Sequence, residues 1–347
     1  MAYTLVTVTN IVTASDYNNL QSEVAKLLGA GSGNRGYGQT MTSGQVAQSQ
    51  TITAVHMNNL KTDLDKIAMH QTGAAAKTGP TLTGSDAANE VSDLGIVNAG
   101  NEILAGSTSE ATAVTRAFND YQQALENLRL PTTDPFRVAA GQFEVLTAAG
   151  GSNLEATYTS SWNGTLSHTI TISFDNTSSQ GADNLRYFFN AGGAFRFNVK
   201  FTSTATGDNV SKSANWQGML GDTFDNGPGT IEFNAITTTH TGSSSTITNP
   251  NKGLWATDAE TTGYEIEGTN EEIFNKAGSS TYAANDYKIL ARRSGHQLFF
   301  VVQFQDDNTG NPDEDVFGNL TSKLSIVRPL GSNVQVPVPT INMGTLS

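Results

Sequence analysis

The amino-acid sequence predicts an α+β, mainly β fold: N-terminal amphipathic helices followed by an antiparallel, jelly-roll-like β-sandwich. Three observations predict it. Apolar residues recur at helical 3-4-3 spacing in the first part of the chain. From Phe136 onward the apolar residues alternate with polar ones, the period of a half-buried strand. Glycine is frequent, at 34 of 347 residues, and Gly/Asn turn signals recur between the alternating runs. Three regions follow: 1–72, a helical repeat and docking region; 73–135, a Gly/Ala/Thr-rich linker with a third helix; and 136–347, the sandwich with an extended C-terminal arm.

The helices carry an internal repeat at an offset of 40. Val12-Thr13-Ala14 matches Ile52-Thr53-Ala54, and Asn18-Asn19-Leu20 matches Asn58-Asn59-Leu60. The stripes are Tyr17, Leu20, Val24 and Leu27 in the first copy, and Met57, Leu60, Leu64 and Ile67 in the second. Thr13 or Ser15, and Thr53, are the N-cap candidates. A degenerate third copy has Phe118, Tyr121, Leu125 and Leu128, with a capping box at Ser107-Thr108-Ser109-Glu110 and Pro131 as its stop. Two readings are open for the stripes: assembly helices that pack on another subunit, or three helices buried against each other within one chain. Between the first two copies, Gly31-Ser32-Gly33-Asn34-Arg35-Gly36 fits GxGxxG, but without a βαβ context it reads as a surface loop anchored by Tyr37. Residues 73–106 read as a linker or an arm lying on another surface.

In the β region, Leu166 to Phe174 alternates, Leu298-Phe299-Phe300-Val301-Val302 reads as a strand buried on both faces, and Leu320 to Val327 alternates again. The stretch Asp183 to Phe201 organises the region. An aromatic run reaches a Gly192-Gly193 corner, and a strand then places Phe195, Phe197, Val199 and Phe201 on one face. With Phe188 and Phe189 these residues form the expected β core. The arm Val334 to Pro339 has two prolines in a strand-like run and reads as an edge strand or extended segment.

Leu185 to Gly193, LRYFFNAGG, together with Gly36-Tyr37-Gly38-Gln39, His70-Gln71-Thr72-Gly73, Ile273 to Gly278 and Pro312 to Val316, resembles segments of virion structural proteins from tailed phages that infect marine cyanobacteria. These pieces fall in order between about residues 11 and 329. The resemblance implies a virion component assembled in the host bacterial cytoplasm. The expected role is a self-associating part of the neck, tail or fibres, as a trimer or ring, bound to itself and to other virion proteins.

Chemistry-bearing patterns are sparse. Net charge is −13, and no concentrated Lys/Arg cluster favours nucleic acid. Without cysteine there are no disulfides or thiolate metal sites. The N-terminal residues lack a basic n-region, and no long apolar run predicts a membrane span. No GxSxG, SxxK, HExxH or P-loop pattern occurs, so neither an enzyme nor a cofactor is expected. The histidines, His56, His70, His168, His240 and His296, lack metal-ligand spacing; His168 reads as solvated on a polar strand face, and His70 as closing its helix. Asp306, Asn308, Asp313 and Asp315 form a weak Ca²⁺ candidate; the favoured reading is a solvated hairpin loop whose acidic residues hydrogen-bond turn amides. Trp162, Trp216 and Trp255 could stack on a host-surface glycan or cover the sandwich. The alternatives to a neck, tail or fibre protein are a receptor- or glycan-binding adhesin and a capsid-decorating protein. A polysaccharide-cleaving enzyme is disfavoured by the lack of a visible carboxylate pair or β-helical repeat.

Overall fold

The computed structural model describes residues 12–31, 35–72, 94, 97, 99, 118–128, 143–150, 152–175, 177, 183–242, 246–255, 264–308 and 314–347. The chain forms two compact units: Met1–Glu144 with Pro329–Val336, and Val145–Arg328 with Pro337–Ser347. The first unit therefore takes in a segment of the C-terminal arm, which the sequence assigned wholly to the sandwich region.

The first unit holds α1 (Ala14–Leu28), α2 (Ala54–Thr72) and α3 (Phe118–Leu128), with α1 against α2 and α2 against α3. Thr13 caps α1 in a capping box with Asp16. At α2 the same position is filled by His56, whose Nδ1 lies 3.0 Å from the Thr53 amide and accepts from it. The capping box expected at residues 107–110 lies outside the described residues. All twelve stripe residues are buried within the chain itself. Tyr37, Gly38 and Gln39 close α1: their amides bond the carbonyls of Leu27, Gly29 and Leu28. Gly36, at φ 104°, passes so close that a Cβ there would lie 2.7 Å from the Gly29 carbonyl oxygen.

The second unit is an antiparallel sandwich. Its strands are β1 (Phe143–Leu146), β2 (Ala148–Ala149), β3 (Ser152–Asn153), β4 (Glu155–Tyr158), β5 (Gly164–Ser173), β6 (Ala194–Ser203), β7 (Ile231–Phe233), β8 (Thr238–His240), β9 (Ile247–Thr248), β10 (Glu271–Ala277), β11 (Asp286–Ser294), β12 (Gln297–Asp306), β13 (Gly318–Pro329) and β14 (Thr340–Asn342). One six-stranded sheet runs β1-β13-β6-β7-β8, with β4 also on β13; the other runs β14-β5-β12-β11-β10-β9. A minor ribbon joins β2 and β3. Phe300 of β12 meets Phe197 of β6 at 4.8 Å and Phe233 of β7 at 5.3 Å, so the two inner faces interdigitate through phenyl rings.

Two short helices were not legible as such. The aromatic run before the glycine corner is α4 (Asn184–Asn190), every residue of which is buried. Helix α5 (Val210–Leu220) packs on β6. Its buried face is Lys212, Ser213, Trp216, Met219 and Leu220, a helical stripe whose first two members are polar and so hide it from a hydropathy pattern.

Strand β12 corrects a reading of the sequence. It is buried on one face only: Leu298, Phe300, Val302 and Phe304 point inward, whereas Phe299 and Val301 are half-buried. The outer row is partly screened by the Arg292 guanidinium, 3.8 Å from the centre of the Phe299 ring.

Candidate functional site

The residues singled out from the sequence fall into three places. The helical stripes make one seam inside the first unit. Tyr17, Leu20, Val24, Met57, Leu60, Leu64, Ile67, Phe118, Tyr121, Leu125 and Leu128 are fully buried, and Leu27 nearly so. Burial in their own chain leaves none of these side chains for another subunit, which corrects the assembly-helix reading. The Tyr17 hydroxyl donates to the His56 carbonyl at 3.1 Å, and burial, aided by Asp63, pushes its pKa up to about 12.

Around this seam the repeated asparagines act as clamps. Asn18 Nδ2 donates to the Val46 carbonyl and its Oδ1 accepts from the Val46 amide, both at 2.8 Å. Asn58 does the same to Val97, at 2.8 and 2.9 Å. A side-chain amide presents the same donor–acceptor pair as a peptide group, so each clamp imitates one rung of a β-ladder. Val46, Val97 and Leu94 are buried, so these described positions after each helix pack into their own unit. For Leu94 and Val97 this overturns a linker that only lies on another surface: two apolar side chains within a polar stretch were enough to bury them. Gln39 makes a third clamp, donating to the Gln335 carbonyl at 2.9 Å and accepting from its amide at 3.1 Å. The Asn-Asn pairs recurred in the sequence at the repeat offset, but their role did not show.

Asp63 lies fully buried in the same unit. Its carboxylate accepts from the Thr42 and Ser43 amides and the Ser43 hydroxyl at 2.7–3.1 Å. Lys66 pairs with it at 3.3 Å. The group organises a turn and is not open to solvent. His70 is buried against the Tyr37 ring at 4.9 Å and does not merely close α2 at the surface.

The acidic loop after β12 is the second place. Asp306 is buried and its carboxylate pairs with Lys212 Nζ of α5 at 2.9 Å, both side chains being almost wholly inaccessible. Lys212 also donates to the Asn308 carbonyl at 3.1 Å. Asn308 bonds the Thr281 carbonyl through its side chain and the Asn285 side chain through its amide. The Asp315 amide donates to Asn209 Oδ1 at 3.0 Å, and Asn163 Nδ2 donates to the Asp315 carboxylate at 3.4 Å. Asp313 lies outside the described residues. The Ca²⁺ reading is corrected at Asp306: a lysine ammonium occupies the position beside its carboxylate that a cation would need. Among the described residues no group of three or more His, Asp or Glu side chains is placed to hold a metal.

The aromatic corner is the third place. Phe188 stacks on Phe195 at 5.2 Å, Phe189 meets Phe195 edge-on at 5.8 Å, and Phe197 and Phe201 complete the buried face of β6. Gly192 takes φ 91°, and Gly193 leaves no room for a side chain: a Cβ would sit 2.5 Å from the Phe188 ring. Trp162, Trp216 and Trp255 are all buried, so none offers a platform for a sugar. Trp162 and Trp216 pack edge-to-face at 5.6 Å; Trp255 stacks on Tyr264 and donates to Asn190 Oδ1 at 3.1 Å.

His168 corrects another expectation. By strand parity it shares the inner face of β5 with Leu166, Ile170 and Ile172, and it is buried. Its Nδ1 lies 2.7 Å from the Met343 carbonyl, which can only accept, so Nδ1 carries the proton. Its Nε2 then accepts from the Ser322 hydroxyl of β13 at 3.0 Å, linking the two sheets. Burial lowers its pKa, against a smaller opposing effect of the Met343 bond.

Among the described residues no helix is long and apolar enough to cross a membrane. No protein-family model, curated protein or solved structure matches this chain.

Proposed function

We propose that this chain is a structural protein of a tailed-phage particle, a self-associating part of its neck, tail or fibres that binds other virion proteins. One observation carries the reading: the resemblance to virion proteins, four of whose five segments lie in the frame of the fold. Leu185 to Gly193 forms the buried aromatic corner. Tyr37 and Gln39 close α1 and hold the arm at Gln335. His70 and Gln71 end α2 around Tyr37, and Ile273 to Ala277 form most of strand β10. The helical seam, being internal, no longer speaks for self-association; that part of the reading rests on the sandwich edges and the arm.

The test is direct. Antibodies against residues 145–328 should label purified particles of the phage that encodes this chain, and peptides of the chain should appear in them at a stoichiometric multiple. Label confined to the head would favour capsid decoration. Particles without the chain would end the structural reading.

A further inference from the structure

We propose that the edge of β5 covered by β14 is a strand-accepting site that also takes the 337–347 segment of a second copy, so that copies are joined by exchange of this segment. The proposal deepens the self-association reading above and rests on it only for context.

Within one chain the site is already filled. β14 pairs with β5 in the register Thr340↔Ser173, Ile341↔Ile172 and Asn342↔Thr171. Past it, Gly344 at φ 64° runs so close to β5 that a Cβ would lie 2.5 Å from the Thr169 carbonyl oxygen. Leu346 is buried, and Ser347 and Ser167 exchange two backbone hydrogen bonds at 3.0 and 3.1 Å. His168 adds a side-chain lock on Met343. The edge thus recognises one particular segment by register, by a glycine and by a histidine, which is more than an unpaired ladder offers to an arbitrary strand.

The connector favours exchange. Val334 to Val336 belongs to the helical unit, anchored through Gln39 and Gln335, and Pro337–Ser347 belongs to the sandwich unit. Between anchor and strand lie Pro337-Val338-Pro339. Each proline fixes its own φ and biases the preceding residue toward an extended conformation, and residues 337–339 run without helix or turn into β14. Every contact between the segment and β5 is the same whether donor and acceptor belong to one chain or two. The balance is then set by effective concentration, and a crowded particle lattice shifts it toward exchange.

The chain has no cysteine, so engineered thiols report on this pair alone. Ser173→Cys would be made in one preparation and Thr340→Cys in another; the two positions are paired across β5 and β14. The two would be refolded together at high concentration and then oxidised. The expected product is a disulfide-linked heterodimer, absent when the two are refolded separately and mixed cold. Both substitutions in one dilute chain should instead close an internal bond. If the double variant closes but the co-refolded mixture yields no heterodimer, exchange is refuted. If the double variant does not close, the segment does not lie on β5 and the site itself is refuted. Incorporation of Ser173→Cys protein into particles is read separately, so a failed exchange leaves the virion reading standing.

Discussion

At the scale of residues, the sequence showed which groups carry chemistry but not whom they meet. Asp306 was visible as part of an acidic cluster; Lys212, 94 positions away, was not. Removing the lysine alone takes the ammonium away from a buried carboxylate. Lys212→Ala should therefore destabilise by about 3–5 kcal/mol, whereas Lys212→Met combined with Asp306→Leu should recover most of that loss. Urea titrations of the three proteins check it; equal midpoints for Lys212→Ala and the parent would be the contrary result. Phe197, on the predicted core face and in contact with Phe300, should cost about 3–5 kcal/mol when cut to alanine, by the same measurement. His168 was misplaced because an isolated polar side chain in an alternating strand reads as outward, although parity with Leu166 and Ile170 already placed it inward. Its folded pKa lies below the ordinary 6.5, so the folded state refuses a proton that the unfolded chain takes up. The stability it contributes is complete above pH 6.5 and is lost as the pH falls from there toward the folded pKa, at no more than about 1.4 kcal/mol per pH unit. Melting followed from pH 7.5 to 5.0 should fall more for the parent than for His168→Gln.

At the scale of elements, the three helices were legible because their stripes are long and strictly periodic. The partner of each stripe was not, since a 3-4-3 pattern is the same whether the neighbour belongs to the same chain or another. Helices α4 and α5 were missed for opposite reasons: α4 is buried all round and shows no periodicity, and α5 hides its stripe behind Lys212 and Ser213. The strands from β5 to β13 were legible wherever alternation was clean, and β12 misled because half-buried Phe299 and Val301 look like core. Leu60 sits at the centre of the seam and is fully buried. Leu60→Asp should cost more than about 3 kcal/mol and reduce helical signal without changing the sandwich, if the first unit melts by itself. Far-ultraviolet circular dichroism against temperature reads this; an unchanged transition would show that the seam does not hold the unit.

At the scale of the whole molecule, both units are closed by the same stretch of chain. Deleting residues 337–347 strips β14, Leu346 and the Ser347 rung from β5, leaving an unpaired edge. The truncated protein should melt lower and self-associate, as sedimentation velocity would show; a monomer with unchanged melting would contradict it. The arm read as an edge strand or extended segment, but its partners did not show, because pairing between segments so distant leaves no local pattern. This closure also bears on when the protein becomes finished. The Asn18–Val46 clamp bridges 28 positions, and the Gln39–Gln335 clamp bridges 296. Closing the longer loop costs about 2 kcal/mol more chain entropy than closing the shorter. On the ribosome, the helices leave the exit tunnel early, yet their unit waits for residue 335, which follows every strand from β1 to β13. A partly synthesised chain thus has neither the Gln39–Gln335 clamp nor β14 on the edge of β5, so both units are completed late in translation.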